Sequence, residues 1–177
     1  LLAEDVAMLT KFYGRRSDKT CDSVILDSFL WSRYYKVAFA VRDEKAILWT
    51  MEADGKPYAS LPVCALEDMP KYFNEVERYF NETLHRPLEI YLADEVAVEY
   101  LNLPEDKYAV TELPDARDYL YSAEKLKVLS GKKLHKKKNH LNSFLREYEG
   151  RFEYRTICCS DREDVWEFLE KWRTQKG

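Results

Sequence analysis

The 177-residue sequence has few of the residues that build common phosphate-binding and metal-binding loops. Its five glycines are scattered, so it has no glycine-rich phosphate loop of standard form. It contains no HExxH segment and no Ser/His/Asp arrangement typical of hydrolases. It has no long apolar run, which argues against a membrane-spanning helix. Short motifs therefore do not assign a function to this chain.

Cysteine is also scarce, and its spacing does not suggest a metal site or a disulfide framework. The four cysteines are Cys21, Cys64, Cys158 and Cys159, without a CxxC pair. The first residues lack the basic region and apolar stretch of a secretory signal. We therefore expect free thiols in a reducing, cytoplasmic environment.

The pattern of apolar residues predicts a mixed α/β or α+β fold. Two helices come first, and three short strands then form an antiparallel meander whose second turn contains Asp54 and Gly55. Helices and strands alternate after the meander. The predicted helices cover residues 3–13, 23–35, 65–84, 94–103, 123–129, 132–148 and 160–175. Gly131 is the predicted C-terminal cap of the fifth helix, and Ser160 with Glu163 forms the predicted capping box of the last one. The predicted strands cover residues 36–41, 46–51, 57–63, 87–93, 107–114, 118–122 and 151–157.

One segment stands out by its charge, the run SGKKLHKKKNH at residues 130–140, which we call the lysine segment. The chain has a net charge of −4, yet residues 118–140 carry seven lysines against two acids. That stretch is therefore +5 and the remainder of the chain is −9. Such segregation concentrates positive potential where an anion could be steered. The helix starting after Gly131 also offers backbone N–H groups, which favour phosphate.

A helical wheel of residues 132–148 shows that the lysine segment is not a uniform polar face. An apolar stripe runs along the helix, and Lys137 and Lys138 flank its centre at about 40–60°. We therefore expect both lysines to be partly buried, so that they need a carboxylate or an external anion. The alternative is that their stems follow the apolar surface and their ammonium groups reach water. The stripe consists of Leu134, Leu141, Phe144, Leu145 and Tyr148.

Two further side chains are candidates for proton transfer. Tyr121 lies on a predicted strand, and a tyrosine can serve as a general acid, although packing with a solvated hydroxyl is the alternative. His135 lies within the lysine segment.

The stretch from Asp118 to Tyr154 resembles a family of bacterial proteins related to the C-terminal domain of phosphatidylglycerol lysyltransferases. The similarity is strongest at Asp118, Tyr119 and Tyr121, followed by a Leu-x-Gly-Lys element and a Lys-Lys-Asn-His element. Those two elements comprise Leu129, Gly131, Lys132, Lys137, Lys138, Asn139 and His140.

The resemblance implies two tandem domains with the GNAT acyltransferase fold. Residues 1–158 would form the first domain, and residues 159–177 would begin the second, which is the C-terminal sister domain. The implied activity is acyl or aminoacyl transfer, with acyl-CoA or aminoacyl-tRNA as donor. The residues expected to hold a phosphate-bearing substrate are Lys132, Lys133, Lys137, Lys138 and Asn139. The alternative is a non-catalytic GNAT-like domain that binds a nucleotide or an RNA end, or supports its sister domain.

Overall fold

The computed structural model describes residues 1–16 and 24–176. Contacts divide the chain into two compact units, an N-terminal unit of Leu1–Tyr119 and a C-terminal unit of Leu120–Gly177. Cys21 lies outside the described residues, as does the predicted start of the second helix at residue 23. The domain boundary at residue 158 stays a prediction.

The predicted antiparallel meander is confirmed. In the described residues it consists of β1 (Ala38–Arg42), β2 (Ala46–Ala53) and β3 (Lys56–Ala59), in the order β1-β2-β3. The β2–β3 turn places Asp54 and Gly55 at φ of 52° and 74°. Two consecutive left-handed residues give a hairpin turn whose twist matches that of its strands.

Strand β2 supplies side chains to two hydrophobic clusters, one on each face of the sheet. Ala46 and Leu48 belong to a cluster that includes the third helix, whereas Ile47 and Trp49 belong to a cluster that includes the first helix. All four side chains are buried. Because successive side chains of a strand point to opposite faces, a run of four apolar residues is what a strand covered on both sides requires.

The first cluster is dominated by α3 (Met69–Arg78), which a π-helical turn (Tyr79–Thr83) extends. Its buried side chains recur at the helical period and face the sheet. Burying each of these large side chains contributes roughly 1.5–3 kcal/mol relative to leaving it exposed. They are Met69, Tyr72, Phe73, Val76 and Phe80.

The second cluster is covered by α1 (Ala3–Tyr13) and α2 (Ile25–Leu30). Helix α1 buries Leu9, Phe12 and Tyr13, as its spacing predicts. Helix α2 is shorter than predicted, because residues 31–36 form turns.

A short helix, α4 (Glu95–Leu101), follows the predicted start signal at Asp94. The Asp94 carboxylate accepts a hydrogen bond from the backbone N–H of Ala97 at 2.9 Å and pairs with Arg16 at 2.9 Å. Both charged side chains are largely buried, with 15% and 11% of their surfaces exposed. One carboxylate therefore caps α4 and joins it to the residues that follow α1.

The prediction of further strands after the meander is wrong, because these segments do not form strands. Within residues 87–93 only Ile90 pairs, as an isolated parallel bridge to Ala59. Residues 107–113 and 118–122 are irregular, with a 3₁₀ turn at Pro114–Ala116, and residues 151–157 form no strand. These segments have the composition of strands, but a strand forms only where a neighbouring strand accepts its hydrogen bonds.

The described part of the C-terminal unit contains α5 (Ala123–Val128), α6 (His135–Glu147) and α7 (Arg162–Lys176). Among its described residues, Asp161 alone is buried. Together the helices and the small antiparallel sheet place the chain in the α+β class. In the described residues, no helix combines the length and apolarity that crossing a bilayer requires.

Helix α7 begins differently from the prediction, which had Ser160 as its cap and Glu163 as the paired acid. Instead, the Asp161 carboxylate accepts the backbone N–H of Cys158 at 2.8 Å. It also receives two hydrogen bonds of 2.6 Å from Arg155. The hydrogen bonds from Arg155, followed by those from Cys158, hold the pKa of Asp161 well below its usual range.

We expect Asp94→Ala to lower the free energy of unfolding of the N-terminal unit by about 2–3 kcal/mol, because it removes a helix cap and a largely buried ion-pair partner. Asp94→Asn should lose less, since its side-chain oxygen still caps the helix. Urea denaturation followed by circular dichroism measures both. Glu99→Gln on exposed α4 surface is the control, and equal midpoints for Asp94→Ala and this control would contradict the assignment.

We expect the start of α7 to lose stability as the pH falls below about 4, the ordinary pKa of an aspartate. The depressed pKa of Asp161 means that its contribution is complete above the unfolded-state pKa and is lost as the folded carboxylate is protonated. Asp161→Asn should remove this pH dependence, whereas Asp164→Asn should retain it. Amide exchange at the first turn of α7 between pH 3 and 6 is the measurement.

Candidate functional site

The lysine segment lies between α5 and α6 and continues into α6. Ser122 caps α5 by accepting the backbone N–H of Lys125 at 3.4 Å. The helix ends at Leu129, which is left-handed with φ of 46°, and the Ser130 N–H returns to the Lys125 carbonyl at 3.3 Å. The sequence predicted Gly131 as this C-terminal cap, which is wrong by two residues.

Gly131 instead begins the next helical segment, with φ of 93° and ψ of 156°. This backbone conformation is essentially restricted to glycine. Its carbonyl accepts the N–H of Leu134 at 3.0 Å, which closes a 3₁₀ turn at Lys132–Leu134 that leads directly into α6. Gly131 therefore sets the direction in which the lysines enter the helix.

The helix start is electrostatically unfavourable. Five lysines occupy residues 132–138, where the positive end of the helix dipole lies. The first turns of the 3₁₀ segment and of α6 contain no acidic residue, and no side chain caps either one. Lys132 and Lys136, like Lys133 and Lys137, are four residues apart, which adds like-charge repulsion on a helix surface. This arrangement costs stability unless an anion compensates it.

The predicted site residues are all exposed, including Lys137 and Lys138. The expectation that these two lysines are partly buried is therefore wrong for this structure. The apolar stripe of α6 is itself incompletely covered, since its last four residues are 39–45% exposed. The five lysines at the helix start are exposed, and no ion pair formed by them is seen among the described residues.

The proton-transfer candidates lie in the same unit. His135 is the first residue of α6 and is exposed, and Tyr121 lies in the irregular residues before α5 with 55% of its surface exposed. Tyr121 is not on a strand, contrary to the prediction.

A shallow, open depression on α6 begins at Asn139 and extends the polar surface toward the end of the helix. Sequence reasoning named Asn139 and His140 but missed three other polar residues of the depression. Asn142, Ser143 and Arg146 follow Asn139 at helical spacing, which was a signal available in the sequence. The depression is lined by Asn139, His140, Asn142, Ser143, Leu145 and Arg146.

The N-terminal unit has a cavity of about 30 Å³, roughly the size of one water molecule, beside the Arg16–Asp94 pair. Cys64 lines it, and burial raises the pKa of this thiol to about 11. A neutral thiol is a poor nucleophile, so Cys64 is a packing residue. Cys64, Cys158 and Cys159 are free thiols, as predicted.

Comparisons with known proteins assign the chain to a family. The family described as "Phosphatidylglycerol lysyltransferase, C-terminal" matches residues 17–177. The chain belongs to this family. The match includes the whole lysine segment, and it confirms the resemblance seen in the sequence.

Two similar proteins extend the comparison. An uncharacterised protein of Mycoplasmoides gallisepticum is 41% identical over 61 residues, which are 34% of this chain and 20% of that protein. A crystal structure of a conserved protein of unknown function from Bacteroides thetaiotaomicron has a TM-score of 0.84 at 20% identity, covering 99% of this chain and 58% of that chain. The second comparison shows that the fold is shared. The chain spans little more than half of this structural relative.

We expect Lys133→Glu to stabilise α6 by about 0.5 kcal/mol at low salt, because a Glu–Lys pair with Lys137 replaces a repulsion and the new charge matches the helix dipole. Protection of the α6 amides from exchange measures this change. The same substitution at Lys56, an exposed hairpin lysine, is the control. Loss of α6 protection in Lys133→Glu would show that the lysines do not oppose helix formation.

Proposed function

We propose that the chain is part of an acyl- or aminoacyl-transferase with a GNAT-like fold, and that the lysine segment holds a phosphate-bearing substrate. The observation that carries the proposal is the lysine cluster at the start of α6, where the described first turns contain no acidic residue and no side-chain cap. Natural sequences tolerate such unfavourable local charge where function requires it. Family membership and the α+β architecture support the same proposal.

In the proposed reaction, an acceptor amine or hydroxyl attacks the carbonyl carbon of an activated ester or thioester. The new amide or ester bond forms as the donor's hydroxyl or thiol leaves, and the acceptor's proton passes to a base. Lys132, Lys133, Lys137 and Lys138 would position phosphates of the donor or acceptor, with Asn139 donating a hydrogen bond. Tyr121 and His135 are the candidates for handling the proton.

Acyl-CoA and aminoacyl-tRNA both have the phosphates that the lysine segment would hold. The scattered glycines leave this chain without a standard loop for the pyrophosphate of CoA. The lysines, in contrast, are distributed around the helix and can contact several phosphates of one strand. We therefore favour aminoacyl-tRNA as the donor, together with a C-terminal sister domain that completes the site.

Replacing Lys137 and Lys138 with Met tests the proposal in the protein expressed from its complete gene. Each lost phosphate contact should reduce the slope of log K against log salt by about 0.7–0.9, so the double variant should bind tRNA with a slope lower by about 1.5. Filter binding across a salt series gives the slope. Lys56→Met is the matched control.

Retained folding with weakened tRNA binding supports the proposal, and unchanged binding and activity would refute it. Binding without transfer of the aminoacyl group would favour the non-catalytic alternative. A thermal shift on addition of acetyl-CoA, with no response to tRNA, would identify an acetyl donor instead.

A further inference from the structure

The C-terminal unit contains regular amphipathic helices whose apolar sides are exposed. In α7, Val165, Phe168, Leu169 and Trp172 recur at the spacing of one helix face, and we call them the α7 stripe. Phe168 is 65% exposed and Leu169 is 46% exposed. An apolar stripe of this regularity normally lies against another element, because short helices gain most of their stability from packing.

Helix α6 presents the same feature. The apolar stripe of α6 has helical periodicity, and its Leu141 and Leu145 are 45% and 42% exposed. Its aromatic residues contact rings that lie close in sequence, with Phe144 4.9 Å from Tyr148 and 5.0 Å from Phe152 between ring centroids. The described residues of this unit bury no apolar side chain, so they lack the core that a unit of this size requires.

We infer that the apolar stripe of α6 and the α7 stripe form half of a hydrophobic core, and that the other half is supplied by the remaining polypeptide of the sister domain, which α7 would begin. The Bacteroides thetaiotaomicron structure shares the fold, and this chain covers only 58% of it, so the shared fold is accompanied there by substantial further chain. The inference rests on the sister domain of the proposed function. The inference specifies which surfaces that domain covers, and it holds whatever the substrate is.

The charges of α7 argue against a membrane as the partner. Helices that lie on anionic membranes carry mainly Lys and Arg on their polar face. Helix α7 instead has four acidic and four basic residues. Two of its acids are paired, Glu167 with Lys171 at 2.6 Å and Glu170 with Arg173 at 3.0 Å. A surface with an apolar stripe and charges of both signs around it is better suited to contact with a polypeptide than to contact with a lipid bilayer.

Hydrogen–deuterium exchange compares the protein expressed from its complete gene with the chain of residues 1–177. We expect amides of α6 and α7 to exchange at least tenfold more slowly in the complete protein, with α3 exchanging equally in both as the internal reference. Sedimentation of both proteins is measured in parallel. Equal exchange of the α7 amides in the two proteins would overturn the inference. Slow exchange of α6 and α7 in the chain of residues 1–177, together with the mass of a dimer, would also overturn it, because a second copy of the chain would then cover the two stripes.

Variants in the complete protein provide a second measurement. Leu169→Asp should remove the protection of α6 and α7 while α3 keeps its own, and Thr174→Asp on the opposite face of α7 should leave all three unchanged. Equal protection in both variants would contradict the inference. Lys137→Met with Lys138→Met should leave α7 protection intact, so failure of the proposed substrate binding and failure of this inference give different results.

Discussion

The N-terminal unit depends on the burial of β2 from both sides. Ala46 and Leu48 face α3, whereas Ile47 and Trp49 face α1, so one strand belongs to two hydrophobic clusters. Neither cluster can lose its covering helix without exposing that face of β2 to water. The Arg16–Asp94 pair then joins the end of the α1 side to the start of α4, which packs on the α3 side. Two cores separated by a single strand are therefore also connected by one largely buried ion pair.

Local signals in the sequence were sufficient for three features of this unit. The helical period of α3, the Asp54–Gly55 turn and the capping aspartate of α4 each act within a few residues, so their outcome does not require knowledge of distant contacts. The predictions that were wrong concern features that depend on distant contacts. Residues 87–93 and 151–157 have strand composition, but strand formation depends on neighbours that composition does not specify. The cap of α7 was predicted wrongly because the carboxylate that accepts hydrogen bonds there belongs to Asp161, which Arg155 holds in place with two hydrogen bonds.

Predictions about the candidate site also succeeded where they depended on sequence alone and failed where they depended on what covers the helix. Charge segregation identified the lysine segment, because net charge is a property of sequence alone. Burial of Lys137 and Lys138 was predicted from a wheel, which assumes that an apolar stripe is covered. In this structure the stripe is partly exposed, so the premise fails and the lysines are exposed with it. Asn142 and Ser143 were missed, since neutral side chains do not alter the charge balance, and Arg146 was missed because it lies beyond the charge-segregated residues 118–140.

The lysine cluster and the apolar stripe on α6 are physically connected. Lys137 and Lys138 lie at about 40–60° from the centre of the stripe, so a polypeptide covering the stripe would leave both ammonium groups at the border of the new interface. There the lower local dielectric would strengthen their attraction to an anion, while their stems would follow the apolar surface and their ammonium groups could still reach water. Covering the stripe would thus stabilise the helix and increase its affinity for phosphate. A substrate held at that border would contact both domains, which explains how one helix can combine an unfavourable charge cluster with an exposed apolar face.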